Sequence, residues 1–125
     1  MIIWIASYPK SGNTWIRSFL TAYYFCENGI FDINKLSLIE DYPNKQFFKE
    51  KVKQGEIHKH WETSQKNIRD QKKVKFLKTH NSLITAFGND FTKPEYTLGV
   101  IYVIRDPRNV ITSVKNHNDL DSYDE

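Results

Sequence analysis

The sequence predicts an α/β domain in which a parallel sheet is flanked by helices. Three short apolar runs at residues 2–6, 74–79 and 98–104 are typical of strands, and helix-like segments separate them. Strands that alternate with helices in this way favour a parallel sheet. The chain has 125 residues, so we expect one domain over residues 1–125.

The first thirty residues predict a strand, a tight loop and a helix. Residues 2–6 are continuously apolar and rich in β-branched side chains, as in a buried strand. Residues 7–13 carry a proline and a glycine, which indicate a turn. From Thr14 the apolar positions have helical spacing, and Gly29 is a plausible stop. One face of this helix carries Trp15, Phe19, Ala22 and Cys26.

The remaining elements follow the same alternation. One or two helices are expected between residues 31 and 73. The strand at 74–79 places His80 at its carboxyl end, and a short helix is expected after it. The run at 98–104 is apolar except for Gly99, which is typical of a central parallel strand. A helix is expected from Pro107, since proline is favoured in the first turn.

Composition limits the classes of protein that the chain can represent. With 39% hydrophobic and 26% charged residues it is neither disordered nor fibrous. The single cysteine, Cys26, excludes an intrachain disulfide and favours a reducing, cytoplasmic location. The first apolar run is too short for a signal peptide or a membrane span. A net charge of +3 suits a small anionic ligand, so we expect neither a nucleic-acid nor a membrane partner.

Basic side chains follow all three predicted strands. Lys10 comes after the first strand, Lys78 and His80 lie at the end of the second, and Arg105 follows the third. Open parallel sheets bind ligands at the carboxyl ends of their strands. The sequence therefore predicts an anion site at this rim.

The loop after the first strand has the features of a phosphate cradle. It precedes a helix N-terminus, which offers free N–H groups and a positive dipole end. It is not a Walker A loop, because the lysine comes before the glycine instead of after it. A simple proline-glycine turn with a capping hydroxyl is the alternative. The candidate ligands are Lys10, Ser11, Gly12, Asn13 and Thr14.

Two further groups complete the candidate site. Arg105 and Ser113 could bind a second phosphate, although an ion-paired arginine and a surface serine are equally consistent with the sequence. His80 could deprotonate an alcohol, because imidazole titrates near neutral pH. A purely structural histidine is the alternative.

Three ordered motifs resemble those of the PAPS-dependent sulfotransferases (PAPS is 3′-phosphoadenosine 5′-phosphosulfate). Residues 8–15, YPKSGNTW, resemble the 5′-phosphosulfate loop. Residues 76–80, FLKTH, resemble the segment with the catalytic histidine, and residues 105–113, RDPRNVITS, resemble the 3′-phosphate motif. The resemblance implies a P-loop-like nucleotide-binding architecture, of which this chain would be an N-terminal fragment incomplete at the C-terminus. It also implies sulfuryl transfer from PAPS to a hydroxyl or amine of a small-molecule or glycan acceptor.

The resemblance also implies a role for each matching residue. Lys10 would stabilise charge on the departing nucleotide, Lys78 would neutralise the sulfuryl group, and His80 would take the acceptor proton. Trp15 would pack beside the adenine, and no metal is implied because a sulfuryl group carries less charge than a phosphoryl group. The 5′-phosphate would be held by Ser11, Gly12, Asn13 and Thr14, and the 3′-phosphate by Arg105 and Ser113.

Two other functions compete with this interpretation. A P-loop-type kinase or nucleotidase is suggested by residues 100–106, a hydrophobic strand that ends in an acid. A non-catalytic nucleotide-binding remnant would keep the phosphate motifs but transfer nothing. Binding of Mg²⁺-ATP favours the first alternative, whereas metal-free binding of the desulfated product, PAP, favours a sulfotransferase or its remnant.

Overall fold

The computed structural model describes residues 1–48, 52–53 and 55–122, and it confirms the α/β class. Within these residues a four-stranded parallel sheet is accompanied by three α-helices and one small antiparallel hairpin. None of the described helices is long and apolar enough to cross a bilayer. The strands are β1 (Ile2–Ser7), β2 (Glu40–Asp41), β3 (Lys75–Thr79), β4 (Thr85–Ala86), β5 (Asn89–Asp90) and β6 (Thr97–Val103). The helices are α1 (Asn13–Phe25), α2 (Trp61–Asp70) and α3 (Pro107–His117).

The sheet has the order β2-β3-β1-β6, so β1 is an inner strand. It pairs in parallel with β3 on one side and with β6 on the other. Ile2 and Ile5 of β1 are consequently fully buried. The expectation that the run at 98–104 is the central strand is wrong: β6 lies at the edge of the described sheet. Its side chains alternate between half-buried and exposed, because one of its faces is not covered by any described element.

One face of the sheet packs against α2 through an aromatic core. Trp4 is at its centre, with ring centroids 5.2 Å from those of both Tyr42 and Phe91. Such edge and tilted ring pairs add to the stability that burial alone provides. The other members of this core are Ile2, Trp61, Ile68 and Leu77.

The opposite face of the sheet is covered by α1, which turns a polar stripe inward. The ring of Tyr24 packs on Phe76 of β3, with 5.1 Å between centroids. Asn13 and Thr21 are the buried residues of α1, and residues spaced by four share one face of a helix. Trp15 is 80% exposed and Phe19 is 72% exposed. The apolar face suggested by helical spacing is thus the outer face of α1 in this structure.

The segment after His80 forms a hairpin, so the short helix expected there is wrong. Strands β4 and β5 are joined by Phe87 and Gly88, which both have positive φ, 49° and 77°. A two-residue loop with this geometry matches the twist of a hairpin, which explains the preference for strands over a helix. The hairpin continues into residue Phe91 and so contributes a ring to the core.

Gln65 of α2 connects this core to the segment that leads into β6. Its side-chain amide donates to the carbonyl of Phe91 at 2.6 Å, and its carbonyl accepts from the Thr92 hydroxyl at 2.6 Å. Gln65→Leu removes the bond to the carbonyl of the buried Phe91 and leaves the half-buried Thr92 hydroxyl with only its contact to Thr97, so we expect the free energy of unfolding to fall by about 2 kcal/mol. Urea denaturation followed by circular dichroism measures this change in the free energy of unfolding. Gln71→Leu, at the exposed end of α2, is the matched control, and an equal loss in both variants would contradict the prediction.

Candidate functional site at the carboxyl edge of the sheet

The first loop, residues 8–12, joins β1 to α1 in a tight turn. Lys10 and Gly12 have positive φ, 65° and 101°, and the Ser11 amide donates to the Tyr8 carbonyl at 3.3 Å. Gly12 is the N-cap of α1, and a Cβ there would meet no atom within 4 Å. The glycine is therefore required by its backbone conformation, while the space beside it is open. The N–H groups of the first turn of α1 have no partner within the helix and can bind an anion there.

Arg105, which follows β6, connects the end of that strand to this loop. Its Nη1 donates to the carbonyl oxygen of Lys10 at 3.0 Å, across 95 residues of sequence. The two segments expected to bind phosphate therefore meet at one rim. An open cavity of about 290 Å³ lies beside this contact, and its lining includes Tyr8, Ser11 and Val110 together with Arg105.

Asp106 fixes the start of α3 and thereby the direction in which this helix leaves the rim. Its Oδ1 accepts from the Arg108 amide at 2.9 Å as the N-cap, and its Oδ2 accepts from Arg108 Nη2 at 2.6 Å. The Arg108 guanidinium holds the pKa of Asp106 below its usual value. The acid at the end of the strand, which suggested a kinase, thus has a structural role at the helix start.

His80 is held by the end of β1. Its Nδ1 lies 2.8 Å from the carbonyl oxygen of Ser7. A carbonyl can only accept, so Nδ1 carries the hydrogen, and in the neutral ring Nε2 carries the lone pair. The side chain is exposed, which leaves Nε2 accessible to a substrate proton. The arrangement is that of a potential general base.

Lys78 lies two residues before His80 and on the same side of β3 as α1. Its Nζ is 3.3 Å from Oδ2 of Asp41, the residue beside it on β2. Arg17 of α1 approaches the other oxygen of the same carboxylate at 3.4 Å. The Lys78 side chain is only 18% exposed, so Asp41 partly balances a half-buried charge and helps to fix its position.

The other predicted residues differ in their relation to this rim. Thr14 and Trp15 are exposed on the first turn of α1, whereas the Asn13 side chain is buried and turns toward the sheet. Ser113 is half-buried two turns into α3, and within the described part of the chain no hydrogen bond joins it to Arg105. Sequence reasoning missed Ser7 and Asp41, because their roles depend on pairing between strands that are distant in the sequence.

The fold and the rim together define an open parallel α/β domain with a candidate anion site at the carboxyl ends of its strands. A family model described as the sulfotransferase domain matches residues 2–123, nearly the entire chain. The chain therefore belongs to the sulfotransferase domain family, which supports sulfuryl transfer as the class of reaction. No curated protein and no solved structure matches the chain significantly.

Proposed function

We propose that this domain transfers a sulfuryl group from PAPS to a hydroxyl or amine acceptor. The observation that carries the proposal is the hydrogen bond from Arg105 to the Lys10 carbonyl. It joins the loop that would bind the 5′ end of the nucleotide to the arginine that would bind the 3′-phosphate. A single ligand with a phosphate at each end fits this juxtaposition better than two separate anions.

The nucleotide would lie along this rim with its 5′-phosphate at the N-terminus of α1. The first-turn N–H groups, the Thr14 hydroxyl and the open space at Gly12 suit an oxyanion. Arg105 keeps donors beyond the one used on Lys10, and a guanidinium suits a phosphate. The exposed Trp15 offers a flat surface for the adenine.

In the transfer itself, the acceptor oxygen or nitrogen attacks sulfur while the bond from sulfur to the bridging oxygen breaks. Nε2 of His80 takes the acceptor proton, and PAP leaves with the electron pair. Lys10 would stabilise the charge that develops on the bridging oxygen, and Lys78 the charge on the sulfuryl oxygens. This proposal assigns the positive charge to side chains and requires no metal ion. A small-molecule or glycan acceptor and a cytoplasmic location remain part of it.

Calorimetric titration of PAP into the chain, without metal, tests the proposed nucleotide site. We expect saturable binding that weakens by at least about 10-fold in Arg105→Ala, since a charge-assisted phosphate contact is lost. Arg108→Ala is the matched control, because that guanidinium is 88% exposed and pairs with Asp106. Circular dichroism confirms that each variant is folded.

Two results would contradict the proposal. Binding of Mg²⁺-ATP by a folded chain that does not bind PAP would favour the kinase alternative. Binding of PAP without any transfer from PAPS to p-nitrophenol, or to a panel of alcohols and amines, would favour a non-catalytic nucleotide-binding module.

A further inference from the structure

Asn13 lies within the loop-helix motif, yet its side chain faces the sheet. It is 6% exposed, and its Nδ2 donates to the Ile5 carbonyl at 3.1 Å and to Ser7 Oγ at 3.0 Å. The Ile5 carbonyl can only accept, which determines that the amide nitrogen, and not the oxygen, points at β1. The side chain of Asn13 is therefore committed to the end of β1.

Ser7 extends this connection to the third element of the site. It is 5% exposed, and both of its oxygens approach Nδ1 of His80: the carbonyl at 2.8 Å and Oγ at 3.3 Å. A continuous set of polar contacts thus runs from the start of α1, through the end of β1, to the residue after β3. It links the nucleotide loop to the candidate base without passing through solvent.

We infer that Asn13 and Ser7 are positioning residues for His80, and that the Asn13 side chain is not a ligand of the 5′-phosphate. Asn13 anchors the end of β1 by two bonds, one to the Ile5 carbonyl and one to Oγ of Ser7, the last residue of the strand. The Ser7 carbonyl then fixes both the orientation and the tautomer of His80, with the hydrogen on Nδ1 and the lone pair on Nε2. The inference rests on the proposed function in one respect only: it takes His80 as the base that removes the proton from the sulfuryl acceptor.

The hydrogen bond to the Ser7 carbonyl would also stabilise the positive charge that His80 acquires during the reaction. When the acceptor oxygen bonds to sulfur and its proton moves to Nε2, the ring becomes an imidazolium. Its Nδ1–H already points at the Ser7 carbonyl, and a hydrogen bond from a cation is stronger than one from a neutral ring. Preorganised partners of this kind need no reorientation during the reaction. A ring without them would rotate and expose either nitrogen to the acceptor.

The chemical shifts of the His80 ring nitrogens, measured by NMR at a pH where the ring is neutral, test the inference directly. In the unaltered chain we expect Nδ1 to have the shift of a protonated nitrogen and Nε2 that of an unprotonated one. In Asn13→Ala, which releases the end of β1, we expect both shifts to move toward the averaged values of a free histidine. Ser7→Ala keeps the carbonyl that accepts from Nδ1 and loses only the 3.3 Å contact of Oγ, so we expect a smaller movement of both shifts. Ser7→Thr keeps the hydroxyl and should retain the original shifts. The opposite tautomer in the unaltered chain would overturn the inference, whatever the variants do.

Thr14→Ala is the matched control, because Thr14 is the exposed neighbour of Asn13 on the same turn. It should leave the His80 shifts unchanged and weaken PAP binding. Asn13→Ala should do the reverse, with a dissociation constant for PAP within about 2-fold of the original. If Asn13→Ala abolishes PAP binding and leaves the His80 shifts in place, Asn13 is a phosphate ligand and the inference is wrong. The NMR measurement is made without PAP. A failure of the positioning inference can therefore be distinguished from a failure of the proposed nucleotide function.

Discussion

Lys10→Ala is expected to lower turnover by about 100-fold or more while PAP affinity changes much less. The lysine amine would meet negative charge that appears only as the bridging oxygen departs, so its loss should affect the transition state most. The contact with Arg105 uses the backbone carbonyl of Lys10 and survives the substitution. Rates of PAP formation from PAPS with p-nitrophenol, together with calorimetric PAP affinity, measure the two effects separately.

Alanine is the appropriate replacement at this position for a conformational reason. Lys10 has a positive φ of 65°, which glycine would adopt without strain. Glycine would therefore change the stability of the loop as well as its charge. Lys72 offers a matched control, since it is an exposed lysine with a φ of 55° in the turn after α2. If Lys72→Ala slows turnover as much as Lys10→Ala, or if Lys10→Ala weakens PAP binding as much as turnover, the assigned role is wrong.

The sequence was sufficient to predict the elements that form the rim. The buried strand at residues 2–6, the tight loop and the helix after it were all found from local signals: β-branched runs, a proline-glycine turn and helical spacing. The helix after Arg105 was found for the same reason, because proline marks its start. These signals depend on neighbours within a few residues, and the elements that they predict are present in the folded chain.

Long-range features could not be predicted in the same way. The run at 98–104 is as apolar as a central strand, but its place in the sheet depends on which strands pair with it, and β1 takes the inner position. The outer face of α1 is aromatic while Asn13 and Thr21 face inward, and Asn13 there donates to the polar groups at the end of β1. Helical spacing identifies a stripe but not the side that the sheet occupies.

The candidate site shows the same division. Motif spacing identified Lys10, Lys78, His80 and Arg105, and the structure brings Arg105 to the Lys10 loop. Motif spacing could not indicate that Asp41 pairs with Lys78, because this contact arises from the register of β2 and β3. Nor could it indicate that the Asn13 side chain turns away from the phosphate side. A motif records which residue types recur together, whereas the direction of a side chain depends on the surrounding packing.

His80→Ala is expected to reduce the transfer rate by about 100-fold to 10,000-fold while PAP affinity stays within about 2-fold. The histidine lies at the end of β3, and its ring contacts Ser7, not the backbone of the first loop. Removing it should leave the phosphate contacts intact and deprive the acceptor of its base. His117→Ala, at the exposed end of α3, is the control for loss of a surface imidazole.

The choice of acceptor makes this prediction more specific. A phenol with a low pKa is already partly ionised and needs a base less than an aliphatic alcohol does. The rate lost in His80→Ala should therefore be larger for an aliphatic alcohol than for p-nitrophenol. An equal loss for both acceptors would indicate that His80 positions the acceptor without taking its proton. Because Nδ1 is held by the Ser7 carbonyl, Nε2 is the ring nitrogen on which the difference between the acceptors depends.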